Sequence, residues 1–539
     1  MKSFLNYLLI FFLFIVAQSL NESLYFFKQI EAYSFQGMGV LIPYIVSYLA
    51  VVLAMYLFLQ LKSTKIFLIF IFFFFIFYAI DFFMQLLGSS YGFSYNEFIL
   101  SMNEVRNIDN LLNYLDYILY AVLLSTLFSS IFYFLRIKLF NKKRYSNKIL
   151  YLTILLAFLG TALPAYRIGF IRHENYPAFT KIPVIGLVYL KHRPQIKRRV
   201  LDESIHNSKT KFKNIIWIVD ESITGTYLSL NGYKKKTTPY LESINETDKM
   251  VNFGVVNSIS NCSSSSNLSL RIGLNPKVFS DFNKNMYNLP TIFQYAKRAG
   301  YKTWLLDSQV PKDYLQNYLT LYDKEDVDNF LTLDRDTTPH KRDEKFLAQI
   351  ADLTKSENKN FIFVVKFGAH WPYILAYDKK NTIFKPTLET TYGMSIENRE
   401  KQLNTYANAI VHSTDQYLKK LLEQSDLSET IIFYTSDHGQ NILENDIKIT
   451  HCNTEAKLIV KNEISVPLLI FQDNAKQLFP INQDSPNYSQ IQIFPTTLSL
   501  MGYQKNITKQ YGKTLWESFR KSNKRESFIY VTGKTKKFE

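Results

Sequence analysis

ETIIFYTSDHGQN, residues 429–441, joins an unbroken apolar run directly to Ser436-Asp437-His438-Gly439. A short continuous run of β-branched and aromatic residues reads as a strand buried on both faces, the kind found in parallel sheets. Ligands of such sheets bind beyond the carboxyl ends of the strands. The polar residues that close this strand are therefore the ones placed to do chemistry. Adjacent Asp437 and His438 offer an oxygen and an imidazole nitrogen, both good Zn²⁺ ligands. Gly439 allows the sharp turn that lets both point one way.

Working outward, NIIWIVD (214–220), YKTWLLD (301–307), NFIFVVKF (360–367) and ISVPLLIF (464–471) read as further buried strands. Helix-like stretches lie between them, such as 289–299 and 399–423. Strand–helix alternation of this kind predicts an α/β domain over 211–539 with a mostly parallel central sheet.

Other strand ends carry polar groups of the same sort. Asp220-Glu221-Ser222 closes NIIWIV; acidic residues there either ligate a metal or cap a helix. His370 follows NFIFVVKFGA, and His451 lies just beyond the Asp-His turn. Either histidine taken alone is more often structural than catalytic. The serine run 258–269, SISNCSSSSNLS, has the composition of a flexible loop, yet it sits inside the domain and leads into LSLRIGL. A hydroxyl at a helix N-terminus beside a metal is how a nucleophile is activated. Glu221, a serine hydroxyl, Asp437 and His438 together match one tetrahedral zinc site whose hydroxyl ligand is also the nucleophile.

The N-terminal third is different. Apolar stretches at roughly 3–19, 39–60, 65–87, 115–136 and 149–168 each approach the ~20 residues that cross a ~30 Å hydrocarbon core as helix. KIFLIFIFFFFIFYAIDFFMQLL is apolar on every face until Asp81, unlike the striped helix of a soluble core. The first run has no clear cleavage site and reads as a retained helix. The net charge of +16 is concentrated in part at Arg136–Lys148, between two apolar runs, as in a cytoplasmic loop. No nucleic-acid motif accompanies it, so nucleic acid is not an expected partner. The loop 88–114 carries Glu97, Glu104 and Asp109 against Arg106 and is expected on the other side. Five spans with the N-terminus inside divide the chain into a transmembrane domain (1–170), a basic linker at the membrane surface (171–210) and an extracytoplasmic domain (211–539).

In these residues the chain resembles the lipid A phosphoethanolamine transferases of the alkaline phosphatase/sulfatase superfamily. IVDESITGTYLSLNGYKKKTTPYL looks like the family's stretch around its metal-binding Glu, which carries that ligand onto Glu221. The family's Cys-Gly-Thr falls on Cys262-Ser263-Ser264 and implies Ser264 as nucleophile and metal ligand. TSDHGQN implies Asp437 and His438 as the remaining ligands. FGAHWPY and the later His-Cys imply phosphate-site histidines at His370 and His451. The family's several disulfides are absent, since there are only two cysteines, Cys262 and Cys452; each adjoins a site residue, so the two are candidates to pair.

The resemblance implies a zinc-dependent, two-step transfer of phosphoethanolamine. It passes from phosphatidylethanolamine to a lipid A or other surface glycan acceptor, through an ester on Ser264. The enzyme would be a multi-pass protein of a bacterial inner membrane with its catalytic domain in the periplasm. One alternative is a phosphoglycerol transferase resembling lipoteichoic acid synthase, using phosphatidylglycerol and Mn²⁺. Another is a non-catalytic membrane sensor, which the full ligand set argues against. A formylglycine sulfatase needs C/S-x-P-x-R, and Cys262 is followed by serines at the Pro and Arg positions.

Overall fold

The computed structural model describes residues 2–20, 25–34, 38–87, 92–93, 98, 115–139, 148–149, 151–157, 176–192, 200–202, 205, 208–274, 289–311, 315–334, 337–390, 396–447, 450–453, 458–481, 488–517, 525–529 and 534–538. The chain divides into two compact units, Met1–Arg193 and Pro194–Glu539.

In the first unit the helices Met38–Phe58, Thr64–Leu86 and Leu115–Leu139 are long and apolar enough to cross a membrane. Lys2–Ala17 is apolar but has only 16 residues, about 24 Å of helix, short of a ~30 Å core. Of the expected span at 149–168, residues 151–157 are helical and 158–168 lie outside the described residues. The described residues thus hold three full-length spans where five were expected. Most of the acidic loop 88–114 and the basic residues 140–147 also lie outside them. Aromatic rings fill the unit: Phe74 lies 5.1 Å from Phe132, and Phe14 lies 5.4 Å from Phe179.

The stretch 171–210, read as a linker, contains a helix, Ala178–His192, that packs within this unit. Its Lys181 is buried, with Nζ 2.6 Å from Asp81 Oδ1. Asp81 also accepts from the Phe93 amide (2.9 Å) and Gln85 Nε2 (3.1 Å). A charge in an apolar helix persists because a partner and donors neutralise it.

The second unit is built on a seven-stranded sheet: β1 (Asn214–Asp220), β2 (Met250–Asn257), β3 (Lys302–Pro311), β4 (Asn329–Leu333), β5 (Asn360–Val365), β6 (Thr430–Ser436) and β7 (Ser465–Phe471). Their order is β2-β7-β6-β1-β5-β3-β4. Pairs β1/β5, β1/β6, β3/β4 and β3/β5 are parallel, whereas β7 pairs antiparallel with both β6 and β2. The expected mostly parallel sheet therefore ends in an antiparallel edge.

Alternation along the strands explains why both faces are covered. Ile215, Trp217 and Val219 of β1 join Phe361, Phe363, Ile431 and Phe433 in one core, against the helix Ile493–Leu500. Ile216 and Ile218 join Ile362, Val364, Ile432 and Tyr434 in the other, with Leu418 and Leu421 of Tyr417–Gln424. Each buried side chain of this size contributes about 1.5–3 kcal/mol by leaving water. The one polar group on Trp217, its indole Nε1–H, donates to Thr497 Oγ1 at 3.0 Å.

Candidate active site

Register places the site. Asp220 at the end of β1 lies opposite Ser436 at the end of β6. The next residues, Glu221 and Asp437, therefore leave neighbouring strands side by side. Ser436 Oγ fixes the crossing: its single proton lies between the carbonyl oxygens of Asp220 (3.0 Å) and His438 (2.9 Å), and it accepts from the Ile223 amide (2.8 Å). The turn after β1 puts Ser222 at φ 62°, a left-handed conformation that L side chains adopt sparingly and that clusters at functional sites.

Glu221, Asp437 and His438 are buried, and one ligand atom from each lies within 4.8 Å of the others. His438 Nδ1 faces the Gly439 carbonyl oxygen at 2.7 Å; an acceptor there holds the proton on Nδ1 and leaves Nε2 as a lone pair. That Nε2 points into the cluster, 3.4 Å from Glu221 Oε1 and 3.7 Å from Asp437 Oδ2. Asp437 Oδ1 accepts from the amides of Ser222 (3.1 Å) and His438 (2.7 Å), but its buried Oδ2 has no hydrogen-bond partner among the described residues. An orphaned carboxylate oxygen beside a second carboxylate and an imidazole lone pair fits a dication, with Glu221, Asp437 and His438 as its protein ligands.

The electrostatics agree. Burial pushes the Asp437 carboxyl well above its usual range, and the Glu221 charge adds to this. Burial opposes charge on His438 as well, yet the Asp437 and Glu221 carboxylates outweigh it and lift the imidazole to about 9. Burial likewise acts to raise Glu221, but His438 overrides it and holds the carboxyl well below the ordinary value. Without a metal, a proton on His438 balances the two acids; a bound dication takes over that role.

Among the described residues the Ser222 hydroxyl reaches this cluster, its Oγ donating to Glu221 Oε1 at 2.6 Å, and so does that of Ser263, which also meets His438. Ser263 is the first residue of the helix Ser263–Ile272, with its Oγ 2.9 Å from His438 Nε2 and 3.4 Å from Glu221 Oε1. Ser264, expected in that place, is buried, and no hydrogen bond joins it to the cluster among the described residues. The reason is helical phase: a step of one residue turns the side chain by about 100°.

His451 lies over the cluster, its ring stacked on His438 at 4.3 Å between centroids. Its Nδ1 is 3.0 Å from Thr450 Oγ1 and 3.2 Å from Gln440 Oε1. Burial, then the charge of His438, push its pKa well below the ordinary value. His370 leaves β5 on the other side of β1; its ring stacks on Phe367, and its Nδ1 lies 2.6 Å from the Trp371 carbonyl oxygen. The two cysteines are joined: Cys262 and Cys452 form a disulfide.

Two supporting residues escaped the sequence reading. Gln309 Nε2 donates to Glu221 Oε2 (2.8 Å) and to the Lys366 carbonyl (2.8 Å). It sits on β3 just past the run YKTWLLD, so inspecting every strand end would have found it. Lys366 is fully buried beneath the site, its Nζ 2.7 Å from Asp220 Oδ2, which also accepts from Tyr434 Oη at 2.7 Å. No local signal marks that pairing, because its partner is 146 residues away.

Over 311 residues the chain is 26% identical to the phosphatidylethanolamine transferase Mcr-1 of Escherichia coli, a stretch that covers 53% of each chain, so the match spans about half the length of that relative. The fold is that of the integral membrane lipooligosaccharide phosphoethanolamine transferase A (EptA) from Neisseria meningitidis, with a TM-score of 0.58 over 93% of this chain and 97% of that one at 18% identity. The C-terminal periplasmic domain of EptC from Escherichia coli matches with a TM-score of 0.50 over 61% of this chain and 92% of that one, at 17% identity. The sulfatase family model matches residues 213–503, a stretch that begins one residue before β1 and takes in the acidic pair, the histidines and the serine helix. With more than half of its length inside that match, the protein belongs to the sulfatase family.

Proposed function

We propose that the protein transfers phosphoethanolamine from phosphatidylethanolamine to an anionic lipid or glycan acceptor, with lipid A as the leading candidate, using Ser263 as nucleophile. The observation that carries this reading is the Ser263 hydroxyl, 2.9 Å from His438 Nε2 within the Glu221–Asp437–His438 cluster. On this reading the role expected for Ser264 falls to its neighbour. Zinc held by Glu221, Asp437 and His438 would supply positive charge that favours the alkoxide form of a serine and the charge building on a phosphoryl group. The alternative with Mn²⁺ and phosphatidylglycerol is not favoured, because the relatives above are phosphoethanolamine or phosphatidylethanolamine transferases.

The chain's own residues account for the steps. Ser263 Oγ attacks phosphorus; the bond from phosphorus to the glycerol oxygen breaks, and diacylglycerol leaves with a proton. The phosphoethanolamine ester on Ser263 is then attacked by an acceptor oxygen, which releases Ser263. With Gln440 Oε1 against Nδ1, His451 carries its proton there and offers Nε2 to take a proton and return it. His370 holds a phosphoryl oxygen from the β5 side. The three membrane-length helices keep the enzyme in the phase where a lipid donor resides. Localisation in a bacterial inner membrane, with residues 211–539 outside the cytoplasm, follows the same reading, as does a basic surface stretch over 171–210.

The test uses full-length protein in detergent, zinc and a fluorescent phosphatidylethanolamine. Ser263→Ala abolishes release of diacylglycerol while Ser264→Ala retains it. The reverse order returns the nucleophile to Ser264, and release with phosphatidylglycerol alone moves the protein to the phosphoglycerol class.

A further inference from the structure

The segments that carry Ser263 and His451 are 190 residues apart at Cys262 and Cys452, and the disulfide joins them at the residue before one and after the other. The joint is reinforced. The Cys452 amide donates to the Asn261 carbonyl at 2.8 Å. Asn261 Nδ2 donates to the Asn453 carbonyl and to Glu463 Oε2, both at 3.0 Å. Asn453 Nδ2 closes the ring on Glu463 Oε1 at 2.7 Å. Glu463 is buried and also takes the Val460 amide at 3.2 Å, while its own carbonyl receives the Gly439 amide at 2.9 Å. One residue therefore braces three segments: its carboxylate holds the serine helix start and the His451 loop, and its backbone carbonyl holds the turn after His438. Cys452 itself holds φ 58°, a conformation that a non-glycine residue keeps only where its surroundings over-determine it.

A staple meant only for general stability has no need to sit between the attacking serine and the histidine stacked on a metal ligand. We propose that the Cys262–Cys452 disulfide, braced by Glu463, is a positioning device for the transfer: it holds His451 on His438 and Ser263 at the cluster, and turnover depends on its being closed. The inference rests on the functional reading above. It makes the enzyme fully active only where thiols are oxidised, as outside the cytoplasm. Reduction delivers two electrons to the sulfur pair and leaves two thiols; a phosphine supplied as reductant ends as its oxide.

The experiment compares full-length native protein, the same protein reduced by a phosphine and alkylated, and the Cys262→Ser/Cys452→Ser variant, all loaded with zinc. Loss of the bridge lowers kcat by about tenfold or more, as a displacement near 1 Å does, with KM moved less than about twofold. Bound zinc per chain is unchanged. Amide exchange rises in peptides covering 262–266 and 450–453 and stays as in the native protein over β1, β5 and β6. Unalkylated reduced protein recovers kcat on reoxidation, and the variant does not respond to the phosphine. A bridge-free protein with native kcat and native exchange at 450–453 overturns the proposal, as does exchange that rises equally across the sheet, the mark of a general staple. If the native protein transfers from no lipid, the functional reading fails by itself, and the exchange pattern still decides the positioning role.

Discussion

Gly439→Ala probes how tightly the turn after β6 holds His438. A Cβ at this position would lie 1.9 Å from the Asn462 carbonyl oxygen and 3.0 Å from Thr224 Oγ1. Carbon and oxygen sit no closer than about 3.3 Å even in a weak C–H···O contact, so the turn and residue 462 must part by roughly 1.4 Å. The Gly439 amide, 2.9 Å from the Glu463 carbonyl, is then carried out of hydrogen-bond range. Overpacking of a close-packed interior costs about 1–3 kcal/mol, and a buried unpaired amide adds about 1–3 kcal/mol more. The sum is about 2–6 kcal/mol, a fall in Tm of about 3–8 °C at roughly 2.1 cal/mol/K per residue over Pro194–Glu539. His438 Nδ1 is bound to the Gly439 carbonyl, so the imidazole moves with the turn, and kcat should fall about a hundredfold. Differential scanning fluorimetry and diacylglycerol release, both on full-length protein, measure the two effects. A variant melting within about 1 °C of wild type with unchanged kcat would refute the steric reasoning.

Three further outcomes follow from buried charges. Lys366→Met leaves Asp220 without the ammonium 2.7 Å away and should destabilise the second unit by about 3–5 kcal/mol in urea titrations; Lys366→Met with Asp220→Asn should recover part of that loss. Lys181→Met strands Asp81 in its apolar helix, so thermal unfolding in nanodiscs should show a similar loss, largely relieved by adding Asp81→Asn. Burial raises the Glu463 carboxyl to about 7, against hydrogen bonds from Asn261, Asn453 and Val460 that pull it down. Its folded-state pKa lies above the unfolded value of 4.5, so the stability it contributes is full below about 4.5 and fades as pH rises through about 7. In the metal-free protein that amounts to about 3 kcal/mol, and Glu463→Gln should flatten the dependence in denaturant titrations at stepped pH.

The central strands were legible because each is an apolar run long enough to be buried on both faces, and the meeting of Glu221, Asp437 and His438 was legible because they follow such runs directly. The edges were not. MVNFGVVN carries Asn252 and Gly254 and half-exposed positions, and NFLTL is only five residues long, so neither β2 nor β4 stands out as a buried strand. The antiparallel direction of β7 is not written in ISVPLLIF, since direction comes from the connection and not from the run. Four consecutive serines cannot be told apart by composition; only the start of the helix at Ser263 decides which hydroxyl meets His438. Lys366 was missed because Asp220 is 146 residues away, and the link from Glu463 to the serine helix because Asn261 is 202 residues away. The linker reading failed to anticipate a helix at Ala178–His192 because Lys181 and Lys191 gave the stretch a surface-like charge, whereas Lys181 is buried against Asp81.

On the proposed mechanism, Ser263 carries phosphoethanolamine during turnover at a zinc site made by Glu221, Asp437 and His438. Intact mass spectrometry of the full-length protein after incubation with phosphatidylethanolamine, with zinc determined in parallel and the modified peptide sequenced, tests it most directly. The expected result is a phosphoethanolamine adduct on Ser263, about one zinc per chain, and loss of both adduct and zinc in Asp437→Ala. An adduct on another serine, or full labelling of Asp437→Ala without zinc, would contradict it.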